Sequence, residues 1–210
     1  MNASNTHSGG TLFTVSAPSG AGKTSLVNAL LARDKHIKAS VSHTTRAMRP
    51  GEADGVDYYF VNVETFESKI RQGKFLEYAR VFENYYGTST AWVEKTLQSG
   101  TDVILEIDWQ GAHQVHQLMP HAQGIFILPP SRQALYERLR GRGQDNNDVI
   151  EQRMQEAISE MSHYSDSQWL IVNDNFEQAL GELWGVVNTL RLGTQKQQQR
   201  YQHLLQDLLT

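Results

Sequence analysis

The stretch "APSGAGKTS", residues 17–25, constrains this chain more than any other part of its sequence. It follows the apolar run "TLFTVS" and contains Gly20 and Gly22, which tolerate backbone angles that other residues avoid. Consecutive N–H groups in such a loop can turn toward one point and hold an anion. Ala17 stands where the phosphate-loop pattern GxxxxGK[ST] has its first glycine, and the rest of the stretch matches. A strand, a phosphate loop and a helix are therefore predicted in that order.

The residue types in this loop predict how a nucleotide would be held. Lys23 would reach the outer phosphates, Thr24 would offer its hydroxyl to Mg²⁺, and the following helix would direct its N–H groups at the anion. Asp108, after the apolar run "DVILEI", is a second candidate for supporting Mg²⁺, with a helix cap as the alternative. An ordinary glycine-rich turn is the alternative for the loop. The residues predicted to bind the nucleotide phosphates are Ser19, Gly20, Ala21, Gly22, Lys23, Thr24 and Ser25.

The composition predicts one soluble domain and excludes several classes of function. No apolar run approaches the roughly 18 residues of a membrane helix, so we expect a cytoplasmic protein without a membrane partner. The formal net charge of −4 argues against a nucleic-acid partner, because such proteins usually carry a strongly basic surface. The absence of cysteine excludes disulfides, thiolate metal sites and cysteine nucleophiles.

Short β-rich runs alternate with longer helical patterns along most of the chain. The runs of Val, Ile, Leu and Phe lack polar alternation, which is typical of strands covered on both faces, so an α/β fold with a central parallel sheet flanked by helices is predicted. The predicted strands cover residues 11–16, 37–42, 102–108, 124–130 and 168–174. The predicted helices cover residues 23–32, 109–119, 132–139, 148–164 and 176–192.

Two regions differ from this alternation. Residues 43–101 are rich in Tyr, Phe, Thr and Gly, which indicates an inserted α+β lobe with short strands and one brief helix near residues 64–72. The arginine- and glycine-rich stretch "RGRGQDNND", residues 140–148, is typical of a mobile flap. The tail from residue 193 has leucines at helical spacing, which leaves open a homo-oligomer formed through this C-terminal helix.

These patterns predict a single domain over residues 10–210, preceded by a disordered tail over residues 1–9. Its predicted parts are a core of about residues 10–41, 102–130 and 166–210, an inserted lobe of about residues 42–101 and a lid of about residues 131–165.

Four further stretches carry a resemblance to a known family. They are "SVSHTTRAMRPGEADGVDYYF" (40–60), "FLEYARVFENYYGTS" (75–89), "EIDWQG" (106–111) and "RLRGRG" (138–143). Together with the phosphate loop, and in this order, they resemble a guanylate kinase of the P-loop nucleoside monophosphate kinases over about residues 10–190. The resemblance implies a P-loop kinase fold with a GMP-binding lobe and an arginine-rich lid. It also implies transfer of the γ-phosphoryl of ATP to GMP with Mg²⁺, and leaves dGMP open as a second acceptor.

The resemblance implies roles for individual residues. Those implied to read guanine are Ser42, Glu77, Thr88 and Glu106, and those implied to bind the GMP phosphate are Arg46, Arg49, Tyr58 and Tyr86. Lys23, Arg138, Arg142 and Arg153 are implied to be catalytic, and Asn173 is implied to lie near the ATP adenine. Glu106 stands where the family commonly has Asp. A carboxylate at Glu77 suits guanine because it accepts the N1–H and the 2-amino group together, whereas adenine has no proton on N1.

Two other functions stay open at this stage. One is a non-catalytic binding module of the same fold, and the other is a kinase acting on ribose 1,5-bisphosphate. The second would not need Glu77, Tyr58 and Tyr86. A phosphate-loop GTPase is excluded because the base-reading sequence NKxD is absent. His113 and His116, three residues apart on a predicted helix, are interpreted as a solvated face and not as a metal pair.

Overall fold

A computed structural model describes residues 9–81, 83–141 and 147–210 of the chain. The predicted tail therefore lies outside the described residues, apart from its last position. In chain order the described strands are β1 (Leu12–Ser16), β2 (Ile37–Ala39), β3 (His43–Thr44), β4 (Tyr59–Phe60), β5 (Phe75–Val81), β6 (Asn84–Ser89), β7 (Asp102–Glu106), β8 (Gln123–Leu128) and β9 (Trp169–Val172).

The helices in the described ranges surround these strands. They are α1 (Lys23–Arg33), α2 (Val63–Arg71), α3 (Thr90–Gln98), α4 (Trp109–Leu118), α5 (Arg132–Gly141), α6 (Asn147–Met161), α7 (Phe176–Arg191), α8 (Thr194–Arg200) and α9 (Gln202–Leu209), with a 3-10 turn at Ser162–Asp166. None of them is long and apolar enough to cross a membrane.

The core sheet confirms the predicted fold class. Its strand order is β2-β7-β1-β8-β9, and each neighbouring pair is parallel. Alternate side chains of β1 pack on opposite faces, with Phe13 and Val15 in one buried cluster and Leu12 in the other. Full burial of such side chains stabilises the fold by about 1.5–3 kcal/mol each. Because the strands run parallel, the segments that follow β1, β7 and β9 meet at one edge of the sheet.

A second sheet lies within the segment predicted to form the inserted lobe. Its order is β4-β3-β6-β5, with β3 and β4 parallel and the remaining pairs antiparallel. Phe66 of α2 packs on it, with its ring stacked on Phe75 at 4.5 Å and on Tyr85 at 5.2 Å between centroids. The boundaries given above for core, lobe and lid stay predictions.

Three sequence-based assignments of secondary structure were wrong in detail. The run 37–42 is not one strand, because the chain leaves the core sheet after β2 and enters the second sheet at β3. Helix α3 was missed, although Ser89 caps its start by accepting a hydrogen bond from the Trp92 N–H. The helix predicted over 148–164 ends at Met161 and continues as the 3-10 turn. Most of the predicted flap, residues 142–146, lies outside the described residues.

A charged cluster at the opposite edge of the core sheet was also missed. Arg191 of α7 bridges two buried carboxylates, with its Nη1 2.5 Å from Asp34 Oδ2 and its Nε 2.6 Å from Asp102 Oδ2. Lys196 of α8 lies 3.9 Å from Asp102 Oδ1 and donates to the Thr11 hydroxyl. The start of the C-terminal tail is therefore fastened to the core. The leucines exposed further along the tail are Leu204, Leu208 and Leu209, and the homo-oligomer stays a prediction.

Candidate nucleotide-binding site

The phosphate loop follows β1 at the carboxyl edge of the core sheet. Gly20 and Gly22 have φ angles of 91° and 92°, in the left-handed region that favours glycine. Gly22 precedes α1 and, having no side chain, provides no capping group, so the first N–H groups of the helix are left without an internal acceptor. This is the arrangement with which helix N-termini bind phosphates.

The Lys23 side chain is tied to the end of the neighbouring strand. Its Nζ donates to the Ile107 carbonyl at 3.1 Å. Burial lowers the pKa of Lys23, and the carboxylates of Glu106, Asp108 and Glu160 act in the opposite direction. The Lys23 ammonium group therefore lies near three acidic side chains beside the loop. A phosphate bound here would add more negative charge, which would have to be balanced.

Thr24 and Glu106 contact each other beside the loop. The Thr24 hydroxyl donates to Glu106 Oε2 at 2.9 Å, and Asp108 lies two residues beyond Glu106. Protein Mg²⁺ sites commonly combine one or two carboxylates with substrate phosphates and water, and this donor set fits that pattern. Within the described residues, no group of three or more His, Asp or Glu side chains is placed to hold a metal alone. Asp108 also caps α4, because its Oδ1 accepts the Gly111 N–H at 2.7 Å.

An acidic residue that the sequence reasoning missed contacts the loop from α6. Glu160 Oε2 accepts the Ser19 N–H at 3.2 Å. Burial raises the pKa of Glu160, whereas the Ser19 N–H and the Lys23 charge favour its ionised form. At least one N–H of the loop is thus already turned toward a carboxyl oxygen.

Glu77 is a buried carboxylate in the second sheet. Its side chain lies on β5 with the residue 5% exposed, and the Thr88 hydroxyl of β6 donates to its Oε1 at 2.6 Å. Burial raises the pKa of Glu77 to about 7, an effect that Thr88 opposes and that the Asp108 charge adds to. A Cβ atom at Gly111 would lie 3.0 Å from Glu77 Oε2, so α4 approaches the carboxylate closely because this residue is a glycine. No cation pairs with Glu77 in the described part of the chain.

Arg46 and two tyrosines form a cluster at the other end of the second sheet. The Arg46 guanidinium lies 5.4 Å from the centroid of the Tyr58 ring, and Tyr58 contacts Tyr86 at 5.9 Å between centroids. Arg46 Nη2 pairs with Glu52 Oε1 at 2.6 Å. Glu52, which sequence reasoning missed, also accepts the backbone N–H of Arg49 at 2.8 Å through its other oxygen. One carboxylate therefore orients the loop that carries both predicted phosphate-binding arginines.

Asn173 lies under the phosphate loop, directly after β9. Its side-chain amide donates to the Ala21 carbonyl at 2.7 Å. Its backbone carbonyl accepts a hydrogen bond from Arg138 Nη2 at 2.8 Å. Its predicted position near an adenine stays a prediction.

The remaining predicted site residues are less informative. Arg153 is a partly buried residue of α6, and Ser42 is partly buried with its carbonyl accepting the Tyr59 N–H. Thr24 and Ser25 are exposed at the start of α1. Arg142 lies outside the described residues. His116, interpreted above as part of a solvated face, instead bonds through Nε2 to the Thr14 hydroxyl at 3.2 Å.

Comparison with known proteins decides the family. The family described as guanylate kinase matches residues 10–190 of this chain. The chain belongs to the guanylate kinase family. This confirms the resemblance stated from the sequence motifs, and the match covers both sheets and the phosphate loop.

Individual relatives agree along nearly the whole chain. A guanylate kinase of Saccharophagus degradans is 60% identical over 201 residues, which cover 96% of this chain and 98% of that protein. A guanylate kinase of Pseudomonas fluorescens is 59% identical over 204 residues, covering 97% of this chain and 99% of the relative. The crystal structure of guanylate kinase from Anaplasma phagocytophilum is 35% identical, with 90% of each chain covered and a TM-score of 0.73.

Proposed function

We propose that this chain transfers the γ-phosphoryl group of ATP directly to GMP, giving ADP and GDP, with Mg²⁺ accompanying the ATP. The observation that carries the proposal is the buried Glu77 carboxylate, which Thr88 contacts through its hydroxyl at 2.6 Å and through its backbone N–H, and which no cation pairs with among the described residues. A buried carboxylate with unused acceptor positions costs free energy unless a ligand supplies donors. Guanine supplies two adjacent N–H donors.

Selection against adenine follows from the same group. Adenine would place an unprotonated ring nitrogen against Glu77 and leave the carboxylate unpaired. Sites built around such hydrogen bonds reject the wrong ligand by about 10⁴-fold. Thr88 fixes the orientation of one carboxylate oxygen, and Gly111 leaves the space in which the other oxygen lies.

The GMP phosphate would bind at the cluster of Arg46, Tyr58 and Tyr86. Guanidinium groups match phosphate oxygens with paired donors, and tyrosine hydroxyls add directed ones. Glu52 holds Arg46 in a preformed position, so less side-chain freedom is lost on binding. Arg49, whose backbone is held by the same carboxylate, would supply a second guanidinium.

The donor phosphates would bind at the loop and the start of α1. Lys23 and Thr24 are the residues that would face the phosphates and Mg²⁺, with Asp108 nearby. Glu106, which the family resemblance implies to read guanine, accepts the Thr24 hydroxyl, and this contact supports a place on the Mg²⁺ side instead. Mg²⁺ would neutralise part of the charge on the phosphate oxygens when bound. At an effective dielectric near 20, two unit charges about 4 Å apart repel by roughly 4 kcal/mol, so cancellation of charge is the main task of this site.

The transfer needs no covalent intermediate, because the acceptor is already an anionic oxygen. Arg138, Arg142 and Arg153 would neutralise charge on the transferring group as the lid closes and excludes water. In support, Arg138 Nη1 is buried without a hydrogen-bond partner in the described ranges, while its Nη2 is anchored on Asn173. A donor of this arginine is therefore left for a phosphoryl oxygen.

The alternatives explain fewer of these features. A non-catalytic binding module would not need Lys23, Thr24 and Glu106 grouped around the loop. A ribose 1,5-bisphosphate kinase would have no use for the Glu77–Thr88 pair, since its acceptor has no base.

A coupled assay of ADP release tests the proposal. The acceptors GMP, AMP, CMP, UMP and ribose 1,5-bisphosphate are offered separately with ATP and Mg²⁺, and Lys23→Ala serves as the control. We expect turnover with GMP and none with the other four acceptors, and we expect the variant to lose it. Binding of GMP without turnover of any acceptor would refute the kinase reaction and favour the binding module.

A further inference from the structure

Asn173 joins three parts of the fold that must act together in phosphoryl transfer. It is 5% exposed and follows β9 at the carboxyl edge of the core sheet. Its side-chain amide donates to the Ala21 carbonyl, and its backbone N–H donates to the Leu128 carbonyl at 2.8 Å. Its backbone carbonyl accepts a hydrogen bond from Arg138 Nη2. One buried residue thus connects the phosphate loop, the neighbouring strand and a lid arginine.

The contact with the loop sets the direction of a peptide group. In a trans peptide the C=O and the following N–H point in opposite directions, and no cis bond occurs in the described residues. Since the Ala21 carbonyl points at Asn173, the N–H of Gly22 points away from it. Asn173 therefore holds one of the N–H groups on which a phosphate loop depends in a fixed orientation.

Gly22 and Asn173 are matched to each other in shape. A Cβ atom at Gly22 would lie 2.4 Å from Asn173 Nδ2, so the Asn173 amide would have to move from its present position. The amide fills the space that a side chain at position 22 would occupy, and Ala21 beside it is fully buried. With an N–H of its amide committed to the Ala21 carbonyl and 5% of the residue exposed, Asn173 presents little surface to a nucleotide base.

We infer that Asn173 is a positioning residue for phosphoryl transfer, which orients the Ala21–Gly22 peptide and Arg138, and that it does not select the adenine base. This inference rests on the proposed function. It differs from the role near adenine that the family resemblance implies. Its consequence is that loss of the amide affects every nucleotide donor equally, because the amide holds the phosphate loop, which contacts the part that all donors share.

The test compares Asn173→Asp with wild type. The variant keeps the shape of the side chain but turns a carboxylate oxygen toward the Ala21 carbonyl. We measure kcat, the KM for ATP, and the Ki of inosine triphosphate as a competitor of ATP, because inosine lacks the 6-amino group of adenine. Misplacement of a reacting group by about 1 Å can reduce the rate by about 100-fold, and we expect kcat to fall by about 10- to 100-fold. The KM for ATP and the Ki should change by the same factor, within about twofold.

Two controls make the result decisive. Asp174→Asn alters the exposed neighbour of Asn173 and should leave all three constants unchanged. Asn173→Ser, which removes the amide without adding a charge, replaces Asn173→Asp if that variant does not fold.

An increase in the KM for ATP with unchanged kcat and unchanged Ki would overturn the inference and indicate a contact with adenine. Unchanged values of all three constants would overturn it as well. A wild-type enzyme without turnover would refute the proposed function itself, which is a different result from either.

Discussion

Two sites in this molecule contain buried carboxylates, and the protein provides them with very different partners. At one edge of the core sheet, Asp34 and Asp102 are 8% and 3% exposed, and both pair with Arg191. In the second sheet, Glu77 is similarly buried but is paired within the described residues with Thr88, through its hydroxyl and its backbone N–H, and with no cation. Burial acts to raise the pKa of Asp34, yet hydrogen bonds from Arg191 and the His36 N–H bring it below its ordinary value. Burial raises the pKa of Glu77 to about 7.

Under the proposed function, this difference separates a structural site from a ligand-binding one. A buried ion pair whose lone pairs are satisfied by the protein contributes to the fold and has nothing left to offer a ligand. A buried carboxylate that the protein leaves half satisfied is unfavourable in the free enzyme and gains most when a ligand brings N–H donors. Stability should therefore depend on the first site and specificity on the second.

The largest expected effect is that of Glu77→Gln on catalysis. The amide presents an N–H where the proposed guanine would also present donors, so kcat/KM for GMP should fall by about 10³- to 10⁴-fold in a variant that remains folded. Steady-state kinetics with ATP saturating measure this. Glu83→Gln changes an exposed carboxylate next to β6 and should have no effect. A loss below about tenfold would contradict the role of Glu77.

Arg191→Met should affect stability and leave catalysis intact. Removal of the cation leaves Asp34 and Asp102 buried without a counter-charge, which costs about 3–5 kcal/mol. Urea unfolding measures the change, and the folded variant should retain its kcat. Arg71→Met, which removes an exposed pair at 3.9 Å, should stay within about 0.5 kcal/mol of wild type. Equal stabilities of the two variants would contradict the comparison.

The pH dependence of stability should have opposite signs at the two sites. Glu77 has its pKa raised on folding, so the native state binds more protons than the unfolded chain, and stability falls as pH rises from about 4.5 to about 7. The pKa of Asp34 is lowered, so its contribution is present above about 3.8 and is lost as pH falls through the folded pKa.

The difference in unfolding free energy between wild type and Glu77→Gln isolates the contribution of Glu77. A pKa near 7 in place of 4.5 corresponds to about 3 kcal/mol. The free energy of unfolding of wild type should therefore fall by about that much relative to the variant between pH 4 and pH 8. Chemical denaturation across this range measures it. A constant difference would show that Glu77 titrates normally.

The smallest expected effect is that of Thr88→Val. It removes the 2.6 Å hydrogen bond, which leaves Glu77 less well oriented and moves its pKa further upward. We expect the KM for GMP to rise by about tenfold, the equivalent of about 1.4 kcal/mol. Thr88→Ser keeps the hydroxyl and should stay within about twofold of wild type. A KM that rises equally in both variants would assign the effect to packing.

The predictable parts of this molecule were those encoded by local patterns. The phosphate loop was predicted from the apolar run before it and from Gly20, Gly22, Lys23 and Thr24. The same apolar run predicted β1, and all five residues of that strand are buried. Glu77 could be picked out because the motif around it resembles a family, although its burial could not be seen from the sequence.

The parts that were missed depend on contacts between distant residues. Arg191 meets Asp34 across 157 positions, and Asn173 meets Ala21 across 152. Only the topology of the sheet brings such residues together, and no periodicity or spacing marks them. Glu160 was missed for the same reason, since a glutamate on a helix is indistinguishable from a solvated charge until α6 is placed against the loop.

The most direct test of the account is the titration of the Glu77 carboxyl carbon by nuclear magnetic resonance, with glutamate labelled with carbon-13 and the signal assigned by its loss in Glu77→Gln. Free protein should give a midpoint of about 7. Saturating GMP should bring it below about 5, because N–H donors favour the ionised carboxylate. A midpoint at the ordinary value of 4.5 in the free protein, unchanged by GMP, would contradict the claim that this buried carboxylate keeps acceptor positions for guanine.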